Sequence, residues 1–168
     1  MSGAGLRVRE VLDWREWRPL RLEALADTPI GFGELHADAV TQTDEEWEQR
    51  WSRPALRLMA FDGDQPVGMA GGFLRDDGVK VLFGVYVRPS ARGRGVLEAL
   101  VAVVQDWAAP DPLHLDVHVD NARAHAAYTR MGFAPDGLDQ LGAGIDGRDL
   151  LGMSRSHEAA LQPGSALR

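Results

Sequence analysis

Val85-Tyr86-Val87-Arg88-Pro89-Ser90-Ala91-Arg92-Gly93-Arg94-Gly95-Val96 is the stretch on which the reading of this chain turns. Strand-forming residues run into a loop with two glycines, and after Gly95 the apolar period changes. Leu97, Leu100, Val101, Val104 and Trp107 recur at helical spacing from Val96 to about Ala108, and Pro110 and Pro112 stop that helix. A strand therefore passes through a tight loop straight into a helix. Glycines in such a loop let the backbone take positive φ and approach a ligand closely. The first N–H groups of the helix lack partners and carry partial positive charge, which suits a pyrophosphate, and Arg92 and Arg94 add full charges beside them. Taken alone, Arg-Gly-Arg-Gly before a helix is equally a tight connection with solvated arginines.

Downstream, Leu113, Leu115, Val117 and Val119 alternate with His114, Asp116 and His118, the period of a strand. Asn121 to Arg130 then reads as a helix closed by Gly132 at the C′ position. Asn121 and Tyr128 lie seven residues apart, two helical turns, and so share a face. Alanines at 122, 124, 126 and 127 keep that helix slim. The strand, helix and strand over residues 79 to 119 are expected to form one right-handed crossover with parallel strands.

Upstream, Leu6 to Val11 alternates as a first strand, and Asp13 can cap a helix from Trp14 to Ala26 that Pro19 would bend or delay. Residues 28 to 43 read as loop, followed by a helix over Glu45 to Arg53 capped by Thr43 or Asp44. Strands at Leu56 to Phe61, Val67 to Leu74 and Val79 to Val87, separated by Asp62-Gly63-Asp64-Gln65 and Asp76-Asp77-Gly78, form an antiparallel meander. Leu150 to Ser154 is a last strand, and residues 156 to 168 are read as a flexible tail. The predicted order is β-α-α-β-β-β-α-β-α-β in one domain over residues 1–155.

Bulk properties fit one acidic globular domain. The 168 residues are 45% hydrophobic and 26% charged, with a formal charge of −7 and no cysteine. The missing cysteines exclude disulfides, thiolate metal sites and a cysteine nucleophile, and fit a reducing, cytoplasmic setting. The negative charge argues against nucleic acid as a partner. The first residues do not read as a signal peptide, and no apolar run suggests a membrane span.

The two segments together resemble the signature motifs of the GNAT superfamily of acyl-CoA N-acyltransferases. The first resembles a strand ending in V-x-P followed by R/Q-x-x-G-x-G/A. The second, N-x-x-A-x-x-x-Y-x-x-x-G-F, is met at Asn121, Ala124, Tyr128, Gly132 and Phe133. The likeness covers roughly residues 6 to 155 and implies an α/β fold: a mixed, mostly antiparallel sheet with a splayed parallel pair, flanked by about four helices. It implies acetyl-CoA as co-substrate, with the backbone of Val85, Tyr86 and Val87 pairing with the pantetheine arm. The turn through Arg92, Gly93, Arg94, Gly95, Val96 and Leu97 would hold the pyrophosphate, and Asn121 would contact the pantetheine. Tyr128 would protonate the departing thiolate; a phenol of pKa ~10 can stabilise or protonate a thiolate of pKa ~8.5. Leu97 departs from the pattern, which carries Gly or Ala there. It fits the apolar stripe with Leu100, Val101 and Val104, or it crowds the pyrophosphate.

The function implied is transfer of acetyl to a primary amine of a small, cationic molecule by direct attack in a ternary complex. Alternatives are a protein or peptide amine as acceptor, or an inactive CoA-binding sensor or interaction module. Residues 27 to 48 carry Asp27, Glu34, Asp38, Asp44, Glu45, Glu46 and Glu48 with no Lys or Arg, which is either an acidic rim attracting a cation or a solvated face. Glu34, Asp116 and His118 are candidates for the base. His114, Asp116 and His118 cannot all reach one ion, because strand residues four apart are ~13 Å apart, so they read as a polar strand face, with a two-ligand metal site completed from outside as the lesser alternative. The tryptophans read as core, with Trp47 or Trp51 as a lesser candidate for a pocket wall. Edge strands of such a sheet offer a way for two chains to pair.

Overall fold

The computed structural model describes residues 5–161. Seven strands form one sheet: β1 (Leu6–Glu10), β2 (Leu56–Asp62), β3 (Gln65–Leu74), β4 (Lys80–Val87), β5 (Leu113–His118), β6 (Ala134–Pro135) and β7 (Leu150–Arg155). Their spatial order is β1-β2-β3-β4-β5-β7-β6, antiparallel throughout except for β4 and β5. The meander, the crossover and the mixed sheet are as the sequence predicts. The two-residue β6 has no counterpart in that reading.

Among the described residues six α-helices flank the sheet. Helix α1 (Trp14–Asp27) starts where Asp13 accepts a hydrogen bond from the Arg15 N–H, and Pro19 sits inside it without delaying the start. Helix α2 (His36–Ala39) is a single turn within the predicted loop. Helix α3 (Asp44–Trp51) opens with a reciprocal capping box between Thr43 and Glu46 and stops two residues before Arg53. Helix α4 (Val96–Ala108) has the predicted bounds, and Lys80 closes its far end by donating to the Ala108 carbonyl at 2.9 Å. Helix α5 (Ala122–Arg130) is capped by Asn121, and Gly132 follows it at φ +91°. Helix α6 (His157–Ala160), capped by Ser156, makes one ordered turn of what the sequence reads as flexible tail; residues 162–168 of that tail lie outside the described residues.

The sheet buries both faces. Leu58, Ala60, Leu113, Leu115 and Val117 pack under α4, with Tyr128 and Phe133 in the same core. Met59, Phe61, Met69 and Tyr86 pack under Trp14, Trp17, Leu20 and Trp47 of α1 and α3. Strand alternation sorts β2 between these cores and puts Leu113, Leu115 and Val117 of β5 in the first, but it fails in β4. Leu82 and Val85 both face α4 although they stand three positions apart, an odd step that should put them on opposite faces. The cause is a bulge: Met69 pairs Tyr86 while Gly71 pairs Phe83, so two steps on β3 meet three on β4. Gly84 absorbs the extra residue at φ +62°. Glycines also set how close α4 lies to the sheet. A Cβ on Gly68 would sit 2.8 Å from Val96 Cγ1, and one on Gly72 would sit 2.8 Å from the Trp107 ring.

Candidate active site

Strands β4 and β5 pair only at Lys80 with Leu113 and Val81 with His114. Beyond Val81 the β4 backbone has no partner on that side, and a cavity of about 630 Å³ opens between the strands. Eight of the ten residues that the sequence assigns to a cofactor line it: Val85, Tyr86, Val87, Arg92, Gly93, Val96, Leu97 and Asn121. Arg94 and Gly95 do not. Gly95 is instead the N-cap of α4, at φ +80° with Gly93 at φ +74°. Neither glycine brings a side chain to the helix start, so the N–H groups of Gly95 to Glu98 find no acceptor among the described residues. Free N–H groups at a helix start beside an open strand edge fit a phosphate followed by an extended amide-bearing arm.

The arginines of this turn are less free than the sequence suggests. Arg92 Nε donates to the Val87 carbonyl at 3.0 Å, and its Nη2 to Asp27 at 3.0 Å. Arg94 turns away to Asp62 at 2.7 Å. Leu97 is half-buried against the α4 core and lines the cavity as well, so it serves the apolar stripe without leaving the site. Asn121 Oδ1 caps α5 through the Ala124 N–H at 3.3 Å. Its Nδ2 faces Gly31, which ties the loop after α1 to the second motif.

Tyr128 is buried on α5, its ring edge-on to Phe133 with centroids 5.7 Å apart. Burial pushes its phenol well above the ordinary range, and its hydroxyl has no hydrogen-bond partner among the described residues. Tyr86, on the opposite face of β4, is pushed up to about 12 by burial and then by the carboxylates of Asp27 and Glu23.

All three sequence candidates for the base line the cavity, in different states. Glu34 accepts four hydrogen bonds: from Arg50 at 2.7 and 3.1 Å, from Arg21 at 3.2 Å and from Gln42 at 3.1 Å. Burial works against its charge, but Arg50 and Arg21 outweigh that and hold it below the usual carboxylate range. His118 has both ring nitrogens engaged, Nε2 donating to Asp146 at 2.9 Å and Nδ1 accepting from the Asp120 N–H at 3.1 Å. Asp116 accepts from His114 Nε2 at 2.9 Å with one oxygen only. Behind it, His114 Nδ1 meets Asp136. Both imidazole nitrogens thus face carboxylates, which only accept, so the doubly protonated ring fits best.

The acidic stretch before β2 is mostly spent inside the protein. Asp27 holds Arg92, Glu34 holds Arg21 and Arg50, Asp44 pairs with Arg18, Glu46 closes the capping box, and Glu48 accepts from the Trp14 indole. Trp47 stacks on Trp14 with centroids 6.0 Å apart, and neither Trp47 nor Trp51 reaches the cavity. Sequence reading missed three contributors. Arg21 had no motif to mark it. Gly84 carried a signal, since a glycine inside a strand run indicates a bulge. Residues 136 to 149 went unread, yet Gly144 and Ile145 line the cavity, and Asp146 and Arg148 tie that loop to His118 and Asp120.

A splayed parallel pair with a glycine turn at the head of the crossover helix defines a mixed α/β domain with its main cavity along the open β4 edge. The model of the acetyltransferase (GNAT) family matches residues 12–133, and the chain belongs to that family. It is 34% identical over 127 residues to a mycothiol acetyltransferase of Mycobacterium avium, a match covering 62% of this chain and 40% of that protein. The chain thus spans less than half the length of that relative. It is 32% identical over 143 residues to an aminoglycoside N(6′)-acetyltransferase type 1 of Stenotrophomonas maltophilia, covering 79% of this chain and 87% of that one. The fold is also that of yncA of Salmonella typhimurium, whose structure holds its cofactor acetyl-CoA: TM-score 0.69 at 17% identity, over 95% of this chain and 98% of that one. Among the described residues no helix is long and apolar enough to cross a membrane.

Proposed function

We propose that this protein transfers acetyl from acetyl-CoA to a primary amine of a small molecule, by direct attack in a ternary complex. One observation carries the reading: the open β4 edge, the free N–H groups of α4 and the Tyr128 phenol all border a single cavity. The α4 turn would bind the pyrophosphate, and the backbone of Val85 to Val87 would pair with the pantetheine amides. That places the thioester near Gly84, at the bulge. The amine nitrogen attacks the thioester carbonyl, the C–S bond breaks, and Tyr128 gives its proton to the departing thiolate.

The amine must first lose a proton. Asp116 is the candidate with an oxygen to spare in the cavity, and the His114–Asp136 pair behind it can balance the charge as the proton moves. Glu34, saturated by four donors, orders the acceptor side of the cavity, and His118 anchors the 136–149 loop through Asp146. The acceptors named for the relatives, mycothiol and aminoglycosides, support a small-molecule amine. A cationic acceptor has less support, since most carboxylates of the acidic stretch are already paired.

The test is Tyr128→Phe, assayed by thiol release beside calorimetric titration with acetyl-CoA. Transfer should fall by about 10²-fold or more while cofactor binding persists. Unchanged turnover removes Tyr128 from the mechanism. Cofactor binding by the native protein with no transfer to any amine would favour the inactive CoA-binding module.

A further inference from the structure

Arg21 is a cation set into the cavity wall with little protein to answer it. Its side chain is 12% exposed, it lines the cavity, and its guanidinium lies over the Phe32 ring at 4.6 Å. Among the described residues it makes one hydrogen bond, from Nη2 to Glu34 Oε2 at 3.2 Å, out of five N–H donors. Its Nη1 points the other way, 3.7 Å from where a Cβ on Gly84 would stand. Glu34 cannot answer more of that charge, because both its oxygens are also held by Arg50. Two guanidinium groups against one carboxylate leave this wall with one net positive charge. A cation so enclosed favours an anion from outside the protein.

The geometry points to an acceptor that carries a carboxylate close to its amine, an amino acid or a compound of that form, with the carboxylate on Arg21 Nη1. This rests on the acetyl-transfer reading above. An arm entering at Val96 and running along Val87 to Val85 ends at Gly84, the residue that Arg21 Nη1 faces. An amine attacking there therefore has Arg21 beside it, and the group it carries within a bond or two of the nitrogen meets the guanidinium. Arg50 holds Glu34 and Gln42 with both Nη atoms and acts as the clamp that orients Glu34, which in turn sets the plane of Arg21. A polyamine would put cation against cation at this wall.

The experiment compares matched amines by thiol release: phenylalanine with phenethylamine and phenylalaninamide, leucine with 3-methylbutylamine, and lysine with cadaverine. For at least one pair the carboxylate member should lead by about 30-fold or more in kcat/KM, the scale of one charged hydrogen bond. The lead should vanish in Arg21→Met and partly survive in Arg21→Lys. If Arg21→Met does not fold, the native comparison and Arg21→Lys decide. Equal rates within every pair, or faster transfer to the members without a carboxylate, would overturn the inference and leave acetyl transfer standing. Acetyl-CoA binding with no transfer to either member of any pair, nor to a polyamine or aminoglycoside control, would sink the transfer reading and this inference with it.

Discussion

Val81 stands opposite His114, and beyond that pair β4 and β5 share no further register. One side of the split holds the glycine turn before α4 and the free edge of β4; the other holds Asp116 and His118 on β5. The bulge at Gly84 follows three residues after the split, which lets β4 keep its pairing with β3 while its direction changes.

Gly84→Ala is expected to cost about 1 kcal/mol, because a non-glycine residue must then hold φ near +62°. The added methyl would meet Trp17 at 3.5 Å and Arg21 Nη1 at 3.7 Å, ordinary contacts, so the penalty is in the backbone. Urea unfolding would show the lower midpoint. A midpoint equal to that of the native protein would mean that the bulge can relax to negative φ.

Gly68→Val should damage both stability and cofactor affinity. A Cβ there already sits 2.8 Å from Val96 Cγ1 and 3.0 Å from the Tyr86 carbonyl, so α4 must lift at the end where its N–H groups are free. Overpacking of this kind costs about 1–3 kcal/mol. Acetyl-CoA titration of the folded variant should show weaker binding; native affinity would show that the turn does not depend on how α4 seats on β3.

Glu34→Gln separates ordering from base catalysis. As an ordering group, its loss leaves Arg21 and Arg50 without their carboxylate, destabilises the protein by about 2 kcal/mol and raises KM for the acceptor with kcat largely kept. A fall of about 10²-fold or more in kcat at saturating acceptor would make Glu34 the base after all.

Two groups give stability opposite pH dependences. His114 is raised above its ordinary 6.5: burial opposes the charge, but Asp116 and Asp136 prevail. Its contribution is therefore complete below about 6.5 and fades as pH rises through the higher folded value. Glu34 is held below its ordinary 4.5, so its contribution is present above that pH and fades as pH falls through the lower folded value. Thermal unfolding of His114→Asn against the native protein from pH 6 to 9 should show the native curve falling toward the variant's. Parallel curves would mean that His114 is already neutral in the folded state.

Elements were legible wherever one period held for several residues. Helix α4 has the bounds read from Leu97, Leu100, Val101, Val104 and Trp107, because an amphipathic stripe between a glycine turn and two prolines leaves little choice. Caps were legible too, as Asp13 and Thr43 show. The β4 bulge was only half legible: Gly84 inside a strand run marks an irregularity, but the run does not say how the register against β3 shifts. The state of the candidate bases was hidden. Glu34, Asp116 and His118 are alike as sequence, yet one is saturated by arginines, one keeps a free oxygen and one anchors a loop.

By itself the sequence determined the fold class, the order of the longer elements and the two motifs, because these rest on local spacing that each segment carries alone, whereas the short α2, β6 and α6 carry too few residues to show a period. Tertiary structure decided where the charges went. Arg92 is claimed by Asp27 and Arg94 by Asp62, while Arg21 keeps its free face at Gly84. Ion pairs join residues distant in the chain, and charge falls off too steeply with distance for composition to reveal which partners meet. Most of the acidic stretch that suggested a cationic acceptor is spent on ion pairs, a helix cap and an indole, and the charge left facing the cavity at Arg21 is positive.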